Sequence, residues 1–144
     1  MIYTIKIRRK NKILNIIPHV DEKISIEKAK FISPLSLAFV GDSVYSLFVR
    51  ASLCTDSDSK SGDLTKLTIS KVCAEAQSKL MKTILPLLSE EEIGVYKRAK
   101  NAKIHNFPSH ATISEYREAT GFEALIGYLY LTGQNERLKQ LLGE

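Results

Sequence analysis

The chain has 144 residues, 44% of them hydrophobic and 26% charged, enough apolar material for one compact domain and too much for global disorder. Lys and Arg number 21 against 16 Asp and Glu, and the formal net charge of +5 leans toward a polyanionic partner. Two cysteines without CxxC spacing and three histidines without zinc spacing argue against a disulfide scaffold and a zinc site.

No apolar run reaches the roughly 20 residues of a membrane span. The start, MIYTIKIRRKNK, has charges where a secretory signal would be apolar, so a cytoplasmic protein is expected. Residues 2–17 alternate early, turn through Lys10-Asn11-Lys12, and end in an apolar run before Pro18, which reads as a small β-hairpin. Lys6, Arg8, Arg9, Lys10 and Lys12 make it basic, either as a solvated edge or as an electrostatic arm for a nucleic acid. Residues 21–32 read as a short polar helix or a linker. Residues 1–32 are thus set apart as an extension, and residues 33–144 as the main domain.

Ser33 to Arg50 reads as a helix, with Ser33 as N-cap and Pro34 at the first helical position. Leu37, Val40, Val44, Leu47 and Phe48 form one apolar stripe. Leu35, Ala38, Tyr45 and Val49 form a flank, so the helix is expected to pack from two sides. Asp42 stands in its middle beside Gly41. A carboxylate there either reaches solvent along the strip of Ser36, Ser43, Ser46 and Arg50, or serves as a hard-oxygen ligand for a divalent cation.

Thr55 to Asp63 is a loop by composition, and Asp63 is placed to cap a helix over about Leu64 to Leu85 that ends at Pro86. Ser89 with Glu92 forms a capping box for a helix of about ten residues. Lys97, Arg98, Lys100 and Lys103 crowd its C-terminal end. Cations there suit the helix dipole, and they equally suit phosphate contact. Thr112 with Glu115 is a second capping box, opening an apolar helix to about Thr132 that Gly133 stops. Glu123 lies inside that helix beside Ala119, Thr120 and Gly127, whose small side chains admit a neighbouring helix. Asn135 is placed to cap a last helix that Gly143 closes.

Each of the two most apolar helices therefore carries one acid, Asp42 and Glu123. If the helices pack face to face, the acids cluster and call for Mg²⁺ or Mn²⁺. Beside a basic edge, such a site suits phosphodiester hydrolysis by a metal-activated water.

LAFVGDSVY at Leu37 to Tyr45 and FEALIGYLYLTG at Phe122 to Gly133 resemble the ribonuclease III catalytic domain, and more closely its stand-alone bacterial branch, mini-ribonuclease III. DLTKL at Asp63 to Leu67, Ala74-x-Ala76-Gln77 and RAKNAK at Arg98 to Lys103 support the match. The resemblance implies an all-α helical bundle that forms a homodimer. It implies a Mg²⁺-dependent endoribonuclease cutting double-stranded RNA, with Asp42 as the catalytic aspartate and Glu123 as the glutamate of the E-A-L-I-G motif, both also metal ligands. Lys97, Arg98, Lys100 and Lys103 would bind the RNA. The implied substrate is the precursor of large-subunit (23S) rRNA near its ends, with a ribosomal protein as a further partner that shapes the RNA.

The chain departs from full-length ribonuclease III at Leu35, Ala38 and Thr120, where that enzyme carries further acids, and at Lys100, where the branch carries arginine. Only about a dozen residues follow Thr132, too few for a double-stranded-RNA-binding domain, so the catalytic dimer is expected to supply most of the RNA affinity. The thinned acid set keeps open a non-catalytic RNA-binding protein of the same fold. Basicity alone would also fit a helical DNA-binding regulator.

Overall fold

Seven α-helices follow one another in the computed structural model, which describes residues 22–56 and 60–143. They are α1 (Ile26–Lys30), α2 (Pro34–Asp56), α3 (Ser61–Val72), α4 (Ala74–Ile84), α5 (Glu90–Lys100), α6 (Ile113–Leu131) and α7 (Asn135–Leu142). A 3₁₀ turn, Leu85–Leu87, follows α4. No strand occurs among the described residues. The hairpin expected over residues 2–17 lies outside them.

α6 is the central element. Phe122, Leu125, Ile126 and Leu129 are fully buried in it, and α2, α4, α5 and α7 pack around it. Its start follows the sequence: Thr112 Oγ1 accepts from Glu115 N at 3.1 Å, and the Glu115 carboxylate accepts from Thr112 N at 2.9 Å. Its end follows as well, at Gly133, whose φ of +72° is open to glycine. Ser89 and Glu92 form the same reciprocal cap on α5. Glu92 is buried and also pairs with Arg137 at 2.8 Å, which ties α7 to α5.

α2 crosses α6 at backbone contact. A Cβ on Gly41 would stand 1.7 Å from the carbonyl oxygen of Glu123, and one on Gly127 would stand 2.0 Å from that of Leu37. Neither obstacle is a side chain that could swing away. Gly41→Ala is therefore expected to destabilise the fold by at least about 3 kcal/mol, read as a fall in the urea midpoint, because overpacking of this kind must push two helices apart.

Four boundaries differ from expectation. α2 runs on through Asp56, into the stretch expected as a loop, with Ser52 and Thr55 hydroxyls donating back to Phe48 O and Ala51 O. The single helix expected from Leu64 to Leu85 is two, because Cys73 is extended (ψ 156°) and breaks it. No Gly or Pro marks that break, but Thr68, Ile69 and Val72 are weak helix formers. Asp63 lies in the first turn of α3 rather than capping it; Lys60 holds the cap position. Asn135 likewise is the first residue of α7, and Gln134 is its cap.

The expected two-sided packing of α2 is met on one side within this chain. Leu37, Ala38, Tyr45 and Val49 are buried, whereas Phe39 is 80% exposed and Leu47 69%. α2 is also long and apolar enough to cross a membrane, by length and composition alone. Its backbone contact with α6 and its central Asp42 account for it as a core helix. Ile24 donates its backbone N–H to Leu131 O at 2.8 Å, and Ala29 is fully buried, so residues 24–32 are seated on the helical body.

Candidate active site

The close crossing decides where the acids stand. Gly41 touches the backbone of Glu123, so Asp42, the next residue, is held beside that turn of α6. Asp42 is exposed and Glu123 half-buried. The Glu123 carboxyl is pushed up from its ordinary 4.5 to about 7, first by burial and then by the negative charge of Asp42. The two acids, 81 positions apart in sequence, thus act on each other through space. The Gln77 amide, from α4, opposes that shift by favouring the ionised carboxylate.

A raised carboxyl has a definite sign in stability. The folded metal-free protein holds the Glu123 proton up to about pH 7, whereas the unfolded chain releases it near 4.5. Its contribution is present below about pH 4.5 and is lost as pH rises through 7. Glu123→Gln removes this dependence. In EDTA, the stability of the variant relative to the parent is expected to increase by up to about 3 kcal/mol between pH 5 and pH 8. Urea unfolding of both proteins at the two pH values measures it, and parallel curves would contradict the burial of this acid.

The donor set is spare but compatible with a divalent cation. Asp42 and Glu123 offer carboxylate oxygens, and the buried Gln77 amide beside them has neither polar atom hydrogen-bonded. No group of three or more His, Cys, Asp or Glu side chains suited to a metal occurs among the described residues. Two carboxylates suit Mg²⁺, which keeps several waters and needs few protein ligands. Leu35 and Ala38 are apolar on α2, and the Thr120 hydroxyl is spent on Tyr116 O at 2.9 Å.

On α5, Arg98 and Lys100 turn to different neighbours. Lys97, Arg98 and Lys103 are exposed. Arg98 turns toward α1, with Nη1 3.5 Å from Lys30 O. Lys100 turns the other way: its Nζ is 4.0 Å from Glu118 Oε1 and 5.5 Å from the centre of the Tyr96 ring. Glu118 also accepts from the buried Ser78 hydroxyl and lies 3.6 Å from Lys82, so it joins α4, α5 and α6. Neither the contacts of Glu118 nor the burial of Gln77 follows from spacing; both depend on where α4 docks on α6. The one trace of Gln77 was the Ala-x-Ala-Gln segment.

The ribonuclease III domain family matches residues 35–134 of the chain. The chain is 45% identical to the Mini-ribonuclease 3 of Thermoanaerobacter sp. over 121 residues, which cover 84% of this chain and 85% of that protein. It is 42% identical to the Mini-ribonuclease 3 of Clostridium tetani, over 84% of this chain and 81% of that one. Its backbone resembles the crystal structure of a Fusobacterium nucleatum protein with a TM-score of 0.73 and 38% identity, covering 77% of this chain and 90% of the other. The chain belongs to the ribonuclease III domain family, with its all-helical fold, and is an endoribonuclease.

Proposed function

We propose that this chain is a cytoplasmic, Mg²⁺-dependent endoribonuclease that hydrolyses double-stranded RNA as a homodimer. Its substrate is the precursor of large-subunit (23S) rRNA, trimmed at the 5′ and 3′ ends. The observation that carries the reading is the meeting of Asp42 and Glu123 at the α2–α6 crossing. The catalytic unit is taken as residues 33–144, with residues 1–32 as an extension.

Bound there, Mg²⁺, or Mn²⁺ in its place, supplies charge neutralisation at a phosphoryl oxygen and a more acidic water. Asp42, exposed, is the acid that an incoming phosphodiester meets. Glu123, half-buried, would hold the cation as a carboxylate, its proton released to solvent, since a neighbouring positive charge favours the ionised form. Lys97, Arg98, Lys100 and Lys103 hold the RNA backbone, with Lys100 shared between phosphate and Glu118. A-form RNA presents phosphates and 2′-hydroxyls rather than readable base edges, so the choice of stem comes from RNA shape, aided by a ribosomal protein.

The homodimer is supported by the bare face of α2. Leu35 and Phe39 lie one turn apart on it, and Phe31 is 91% exposed nearby in sequence. A cavity of about 240 Å³, lined by Leu35, Ala99, Ala102, Ile104, Tyr116 and Thr120 among others, opens beside them. A protruding ring with an adjacent hollow suits a two-fold contact, in which each copy fills the other.

The sparse donor set favours one alternative, a non-catalytic RNA-binding protein of the same fold. Purified protein incubated with duplex rRNA precursor and MgCl₂ separates the two, with EDTA as control and mapping of the ends. Cutting that EDTA abolishes is the expected result. Binding without cutting would overturn the nuclease reading.

A further inference from the structure

Gln77 is the anomaly of the interior. It is 1% exposed, and neither its amide nitrogen nor its amide oxygen finds a hydrogen-bond partner. A buried polar group left unpaired costs about 1–3 kcal/mol, and methionine would fill the same space without that cost. Packing of α4 on α6 therefore gives no reason for an amide here. Its next neighbour, Ser78, is equally buried but is satisfied by Glu118. The Gln77 amide lies near enough to the Glu123 carboxyl to favour its ionised form, but without the geometry of a hydrogen bond in the metal-free protein.

We propose that Gln77 is a positioning residue for the acid pair: once Glu123 is ionised, the Gln77 Nε2–H donates to its carboxylate and aims it, with Asp42, at a divalent cation. This rests on the metal-dependent nuclease reading. Two acids alone leave Glu123 free to turn about its side-chain bonds, and Leu35, Ala38 and Thr120 offer no further charge to restrain it. An amide locked between α4 and α6 supplies that restraint without adding a third negative charge. Groups that orient a ligand in this way are commonly worth roughly 10–100-fold in metal affinity.

The test compares parent, Gln77→Met, Gln77→Glu and Asp42→Asn as full-length proteins. Each is titrated with MgCl₂ by calorimetry, melted in EDTA, and assayed for single-turnover cleavage of duplex RNA at saturating Mg²⁺. Gln77→Met is expected to melt no lower than the parent, because both unpaired atoms are gone. Its Mg²⁺ affinity should fall roughly 10–100-fold, and its single-turnover rate at least about 10-fold, with RNA affinity unchanged. Mg²⁺ affinity within about twofold of the parent would make Gln77 a packing residue and overturn the proposal.

Should Gln77→Met fail to fold, Gln77→Glu, of the same shape, decides. It loses the donor and sets a like charge against Glu123, so weaker Mg²⁺ binding is expected. Equal or tighter binding would show that an oxygen, not an N–H, is wanted there, and would overturn the donor role. If the parent itself neither binds Mg²⁺ nor cuts, the nuclease reading falls and this proposal falls with it. If the parent binds, Asp42→Asn does not, and Gln77→Met binds as the parent does, only the role of Gln77 is lost.

Discussion

Asp42→Asn is expected to leave the helical content, the melting temperature and the dimer unchanged while slowing cleavage by more than about 100-fold. Asparagine has the shape of aspartate, and position 42 is exposed, so no packing is disturbed. What is lost is one of the two carboxylates of the proposed site, beside which no third metal-binding acid stands among the described residues. Loss of a group that merely orients a ligand costs roughly 10–100-fold, and loss of the ligand should exceed that. Removing the Asp42 charge also removes one cause of the raised Glu123 carboxyl, which should ionise at a lower pH in the variant. Single-turnover kinetics on duplex RNA measure the effect. Cleavage within tenfold of the parent would take Asp42 out of the site.

Phe39→Glu is the second large effect, and it should fall on assembly rather than on the fold. The ring is 80% exposed in one protomer, so the substitution costs that protomer little. In a two-fold contact it would bury two rings, and the variant would instead bury two unpaired carboxylates. An aromatic anchor at the centre of an interface is commonly worth about 4 kcal/mol, near a thousandfold in the dissociation constant. Sedimentation at micromolar concentration should show a dimer for the parent and a monomer for Phe39→Glu. A parent that sediments as monomer, or a variant that stays dimeric, would remove this face as the interface.

The capped helices were legible from sequence because their signals are local. Ser89–Glu92 and Thr112–Glu115 each satisfy backbone donors within one turn, whatever the rest of the chain does. The break at Cys73 was not legible, since it depends on α3 turning toward α2 while α4 docks on α6. Asp42 and Glu123 stood out as acids inside apolar helices, and Ala119, Thr120 and Gly127 showed that a close crossing was open to Glu123; the matching part of Gly41 appears only in the fold. That the crossing puts the acids together is a tertiary fact. Gln77 shows the limit most plainly. A glutamine on an amphipathic helix reads as surface, and only the docking of α4 makes it the buried neighbour of Glu123. The basic residues after Lys97 read as one patch because they are close in sequence. The turn of α5 parts Arg98 from Lys100 and gives each a different neighbour.

The glycine contacts between α2 and α6 carry a consequence for heating. Main chain touches main chain at Gly41 and Gly127, so the backbone spacing at the two acids is set by peptide geometry, and the side chains alone are left to be aimed by their neighbours. The helices that hold the site are also those that hold the core. Warming should therefore leave the reacting groups in register up to the melting transition and scatter them within it. The loss of RNA cutting and the loss of ellipticity would then trace one curve, with no intermediate temperature at which an intact body has a spoiled centre.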